Sequence, residues 1–105
     1  MWQLNKYILI FVSFPAAYLN TGQVYTRQGK IREAMEFYQK CFKLSDEGVK
    51  DLRIHIEAKV SALLRYGKLL VEEDDDPRTA IGIYKEAVKL MPPNFSQSQV
   101  NTHSF

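Results

Sequence analysis

A chain of 105 residues has room for one small domain and no second core. Hydrophobic residues at 46% and charged residues at 25% exclude wholesale disorder. Fourteen basic against twelve acidic side chains leave a formal charge of +2, and no basic block interleaves with aromatics, which argues against nucleic acid as a partner.

Residues 1–15 form an apolar N-terminal segment, in which Lys6 precedes the run Tyr7 to Val12, extended by Ser13 and Phe14 up to Pro15. The run falls short of the roughly 20 residues that span a membrane. With Ala16-Ala17 behind it, it loosely fits a secretory signal. An apolar helix capping the first repeat is the preferred reading.

A helix is predicted over 16–28, with Tyr18, Gly22 and Tyr25 on one side and Gln28-Gly29 as its stop. Glycine costs about 1 kcal/mol relative to alanine inside a helix, so Gly22 implies a close crossing by a partner. Lys30 to Leu44 reads as the return helix, with Ile31, Ala34, Tyr38 and Cys41 along one stripe. The short connection around Gly29 forces the two helices antiparallel.

Val49, Leu52, Ile56, Val60, Leu63, Gly67 and Leu70 recur every three or four positions, predicting one long helix from Val49 to Glu73. Asp46-Glu47 stands where its first amides need a cap. In Asp74-Asp75-Asp76-Pro77, an aspartate cap and a proline at the first helical position start a final helix, Pro77 to Met91. One more residue separates Gly67 from Ala80 than separates Gly22 from Ala34, which places an insertion in this turn. Asn94 to Phe105 is polar and aperiodic, and is expected to be a disordered tail.

The set Tyr18, Thr21-Gly22, Tyr25, Ala34, Tyr38 returns as Leu63, Tyr66-Gly67, Leu70, Ala80, Tyr84, with Pro92 beyond. This is the tetratricopeptide pattern, large and small residues alternating where two helices touch. The expected fold is all-α: two antiparallel helix hairpins, repeat 1 over 16–46 and repeat 2 over 47–93, joined by a long helix. Gly22, Ala34, Tyr38, Gly67, Ala80 and Tyr84 are its helix-packing residues, each alanine expected to face a glycine. Gly22 and Gly67 lie 45 residues apart, where a plain array spaces its repeats about 34 apart. Solenoids usually need about three repeats or more, so two predict marginal stability unless Tyr7–Phe14 caps the end or the chain self-associates.

Little here suggests chemistry. Glu72 to Asp76 reads as a solvated acidic turn; His55 lies off the apolar stripe and His103 in the tail. The lone Cys41 excludes an internal disulfide and reads as a small buried apolar residue. No catalytic residue, metal ligand or cofactor is expected.

Binding is expected in the groove lined by the first helix of each hairpin. Ala16, Leu19, Asn20, Gln23, Thr26 and Arg27 would face it from one helix, and Leu64, Lys68 and Glu72 from the other. The ligand would be a protein or peptide. Leu19 and Gln23 stand where chaperone-binding repeats carry a carboxylate-gripping lysine and asparagine, so that ligand class is disfavoured. Asn94-Phe95-Ser96 satisfies the N-glycosylation rule, which has meaning only in a luminal chain.

Ala17-Tyr18-Leu19-Asn20-Thr21-Gly22, Lys40-Cys41, Asp46-Glu47, Lys50-Asp51, His55, Gly67-Lys68-Leu69, Tyr84-Lys85-Glu86-Ala87 and Met91-Pro92 together carry a more specific likeness. The segment from Ala16 to Gln99 resembles the repeat region of the transmembrane and tetratricopeptide repeat-containing O-mannosyltransferases. The resemblance implies an endoplasmic reticulum setting, with luminal repeats that recruit acceptor proteins such as cadherins. In that family a multi-spanning module transfers mannose from a dolichol-linked donor to serine or threonine. This chain has none of that module, so no catalytic residue carries over. The alternative is a free-standing cytosolic adaptor.

Overall fold

A computed structural model describes residues 14–91, which form four α-helices: α1, Pro15–Arg27; α2, Ile31–Phe42; α3, Leu52–Asp74; and α4, Pro77–Leu90. The N-terminal run up to Ser13, Pro92-Pro93, His103 and the Asn94 sequon lie outside the described residues. α1 packs on α2 and α4 on α3 as hairpins, and α3 also touches α1 and α2. Among the described residues there is no strand. The all-α double hairpin expected from the sequence is the fold.

Why these segments are helical follows from their ends. Proline stands at the first helical position of both α1 and α4, where its missing N–H and fixed φ cost nothing. Asp51 caps α3 by accepting from the Ile54 amide at 3.2 Å, and Asp76 caps α4 by accepting from Thr79 at 3.1 Å. The expectation that Asp46-Glu47 would cap the long helix is corrected: α3 starts at Leu52, with Val49 in the preceding loop.

Each hairpin closes on a glycine, and the partner is a tyrosine. A Cβ built on Gly22 would sit 2.6 Å from Cε1 of Tyr38, and one on Gly67 2.7 Å from Cε1 of Tyr84. The atoms nearest the glycines thus belong to Tyr38 and Tyr84, not to Ala34 and Ala80, which lie one helical turn earlier. Both alanines are buried in the same core. Tyr38 is 1% exposed, and its hydroxyl donates to Thr26 Oγ1 at 3.0 Å, whose own proton goes to the Gly22 carbonyl at 2.8 Å. The absent side chain at Gly22 is the space the ring fills.

Cys41 occupies the point where three helices meet. It is fully buried, and its thiol donates to the Pro15 carbonyl at 3.2 Å, with the Ala58 carbonyl at 3.7 Å. Removal from water pushes its pKa up to about 12.

α3 buries two sides. His55, Ala58, Lys59, Ala62 and Leu69 are covered on one, while Val60 and Leu63 pack with Ala87 of α4 on the other. A single stripe from Leu52 was therefore too simple a reading; Leu52 itself is 52% exposed.

The extra residue of the second hairpin also has a definite home. In the first, the Lys30 amide donates to the Tyr25 carbonyl at 2.9 Å, five residues back. In the second, the Asp76 amide donates to the Leu70 carbonyl at 3.0 Å, six residues back. Tyr25 and Leu70 each lie three residues past their glycine. The insertion is thus absorbed in the last turn of α3, which runs two residues further past its glycine than α1 does, while the connection shortens from residues 28–30 to residues 75–76.

Candidate functional site

The face shared by α1 and α3 is built from residues at i, i+4, i+7 and i+11. Ala16, Asn20, Gln23 and Arg27 hold these places on α1, and Ser61, Arg65, Lys68 and Glu72 on α3. The two helices are tied across it by Gln23 and Arg65. In the amide orientation that satisfies both partners, Gln23 accepts from Nη2 of Arg65 at 3.0 Å and from Nε at 3.1 Å. Arg65 Nε also reaches the Ser61 hydroxyl at 3.4 Å. Asn20, Arg27, Lys68 and Glu72 are exposed around this bridge, and Lys68 Nζ lies 4.0 Å from Glu72 Oε2.

Three of the expected groove residues do other work. Thr26 is committed to Gly22 and Tyr38 inside the first hairpin. Leu19 packs against the larger core cluster and Leu64 against the smaller one. Helical geometry is the reason: 19, 22 and 26 share one side of α1, while 16, 20, 23 and 27 share another. The sequence reading missed Arg65 and Ser61. The signal was the same spacing, since 65, 68 and 72 line up on one face.

On this face Arg27, Arg65 and Lys68 outnumber Glu72, so its charge is net positive. That favours an acidic or carbonyl-rich segment laid along it.

Behind the hairpins, a polar cluster locks the loop between α2 and α3. Lys59, buried on the first turns of α3, donates to the Leu44 carbonyl at 2.7 Å and to Asp46 Oδ1 at 2.9 Å. The Leu44 carbonyl lies just past Lys43, the C-cap of α2, where a lysine also meets the negative end of the helix. His55 Nε2 lies 3.1 Å from the same Asp46 oxygen, close enough to feel its charge but out of line for a hydrogen bond. The placing of His55 away from the apolar stripe is corrected accordingly: it is buried, facing the loop. Asp46 is the shared anchor of the connection.

The acidic turn has one partner from the first hairpin. Arg32 pairs through both terminal nitrogens with the Asp74 carboxylate, 3.1 Å for Nη1–Oδ2, and holds that carboxyl below its ordinary range. Gln39 donates to the Tyr66 hydroxyl at 2.9 Å; burial, then the nearby Asp74 and Asp76 carboxylates, raise the pKa of that phenol. Among the described residues no three histidine, cysteine or acidic side chains converge as a metal-binding set. No described helix is long and apolar enough to cross a membrane.

The hairpins, the glycine–tyrosine contacts and the cross-helix bridge define a tetratricopeptide-type protein-interaction fold. The tetratricopeptide repeat family model matches residues 15–47. Beyond that class, the chain is similar to protein O-mannosyl-transferase TMTC2 of Mus musculus, 38% identical over 68 residues, and to the Xenopus laevis and Homo sapiens proteins of that name, each 38% identical over 64 residues. The matches cover 65%, 61% and 61% of this chain, and the chain spans about 8% of the length of these relatives. No solved structure matches it. The repeat region thus resembles that of the O-mannosyltransferases with tetratricopeptide repeats.

Proposed function

We propose that this chain is a polypeptide-recognition segment of the kind those transferases carry, holding acceptor proteins on the α1/α3 face. Its 38% identity with an O-mannosyl-transferase over 68 residues is the observation that carries the reading. Asn20, Gln23, Arg27, Arg65, Lys68 and Glu72 make the contact surface, and a cadherin-type acceptor strand with acidic side chains is the ligand. Mannosyl transfer belongs to a catalytic module outside this sequence, and the setting is the lumen of the endoplasmic reticulum.

The test has two arms. A purified cadherin domain titrated onto the chain gives saturable binding that Arg65→Glu weakens about tenfold, the loss of about 1.4 kcal/mol expected for reversing a charge at the contact. Val88→Asp, on an exposed face of α4, leaves it unchanged. Absence of saturable binding sinks the acceptor role. In cells, endoglycosidase treatment lowers the apparent mass of the wild-type chain and leaves that of Asn94→Gln unaltered. A chain found unglycosylated in the cytosol replaces the luminal setting with that of a free-standing adaptor.

A further inference from the structure

An apolar cleft opens at the start of α1, away from the Gln23–Arg65 bridge. It has a volume of about 730 Å³ and is lined chiefly by Phe14, Pro15, Leu44, Val49, Ile54 and Ala58. Two of its large side chains stay substantially in water, Phe14 at 57% and Ile54 at 60% exposure. A cavity in the roughly 300–1,000 Å³ range is large enough to bury several side chains. Leaving apolar walls wet forgoes about 25 cal/mol for every Å² that an occupant would cover.

We propose that the cleft is the docking site of this chain's own segment Tyr7–Val12. Three observations favour that occupant. The run Tyr-Ile-Leu-Ile-Phe-Val is the longest uninterrupted apolar stretch of the sequence. It joins the cleft wall at Phe14 with only Ser13 between, so it meets the site at an effective concentration on the order of millimolar. The rim carries Glu47 and Asp51 against the single lysine Lys50, which suits Lys6 at the head of the run. A peptide from another molecule would need to outcompete a segment already tethered there.

Docking would cover Phe14 and Ile54 and brace the Asp46 loop from outside, supplying the end cap that two hairpins lack. This site is separate from the α1/α3 face, so its test is separate from that of acceptor binding.

Cysteine cross-linking in the full chain tests it. Ile54→Cys is combined, one at a time, with a cysteine at each position from Tyr7 to Val12, and the dilute protein is oxidised. Cys41 is buried and stays reduced. Circular dichroism of each reduced variant checks that the helices are intact, as expected for a substitution at the exposed Ile54. The expected result is an intrachain disulfide at one or more of the six positions, seen as a monomer of increased mobility that dithiothreitol reverses. Disulfide-linked dimers alone would assign the cleft to a second copy and overturn the proposal. Free thiols at all six positions would overturn it as well.

Discussion

The two hairpins place the same contacts in the same order, yet each is closed by what the other lacks. Gly29 and Asp75 are the left-handed residues, with φ of 78° and 49°; Lys30 and Asp76 precede the return helices, and Ile31 and Pro77 start them. From there the chains run in step through Ala34 and Ala80, Tyr38 and Tyr84, and Cys41 and Ala87. The first turn uses glycine, which enters the left-handed region without strain, but its helix has no side-chain cap. The second has proline and a capping aspartate, but forces Asp75 into that conformation. Packing between helices is the shared requirement, and turn chemistry is interchangeable around it.

The largest break in this symmetry is Cys41 against Ala87. Burial raises the folded thiol's pKa above its unfolded value, so its stabilisation is complete below about pH 9 and is lost as pH rises towards about 12. Equilibrium unfolding followed across that range should show a loss of a few kcal/mol. Cys41→Ala, which gives the first hairpin the residue of the second, should remove most of that slope. What remains comes from Tyr66 and Tyr84, both raised chiefly by burial.

Gly22→Ala comes next. The new methyl collides with the Tyr38 ring, which is buried and held by Thr26. A cost of about 2 kcal/mol net of helix propensity is expected, a fall in Tm of roughly 10 °C. Gly67→Ala should cost less, because Tyr84 is less deeply buried than Tyr38. Equal losses would show that the two rings are held alike.

Lys59→Ala, in the second hairpin and with no counterpart in the first, should cost about 2 kcal/mol by leaving the Leu44 carbonyl unpaired. Denaturant melts with coincident probes would measure it. The turn exchanges are smaller: Asp76→Ala should lose about 1 kcal/mol, and Lys30→Asp should gain about as much. Asp75→Gly should gain somewhat less, since relief of strain is offset by a freer unfolded chain. Arg32→Ala should barely move Tm, because Arg32 is 68% exposed and its pair with Asp74 is screened by solvent.

The packing skeleton was legible because it is periodic. Gly22 inside a helix, Tyr38 sixteen residues on, and the same letters again at Gly67 and Tyr84 leave few other folds. The start of α3 was not legible in this way. Asp46, Asp51, His55 and Lys59 serve a loop that crosses back over the helix, and no period announces which aspartate caps and which anchors. Arg65 escaped for a related reason: its partner Gln23 lies on another helix, and only the register between the hairpins brings them together. Leu19, Thr26 and Leu64 looked accessible by position along the chain; their angle around the helix turns them inward.

Because α3 carries apolar groups on both its sides, the larger core is shared between the hairpins, and the first has no buried cluster apart from it. Fraying that helix would release α1, α2 and α4 together, so heat or denaturant should meet a single cooperative transition where a looser pair of repeats would melt in steps. A chain cut between the hairpins would lose both halves.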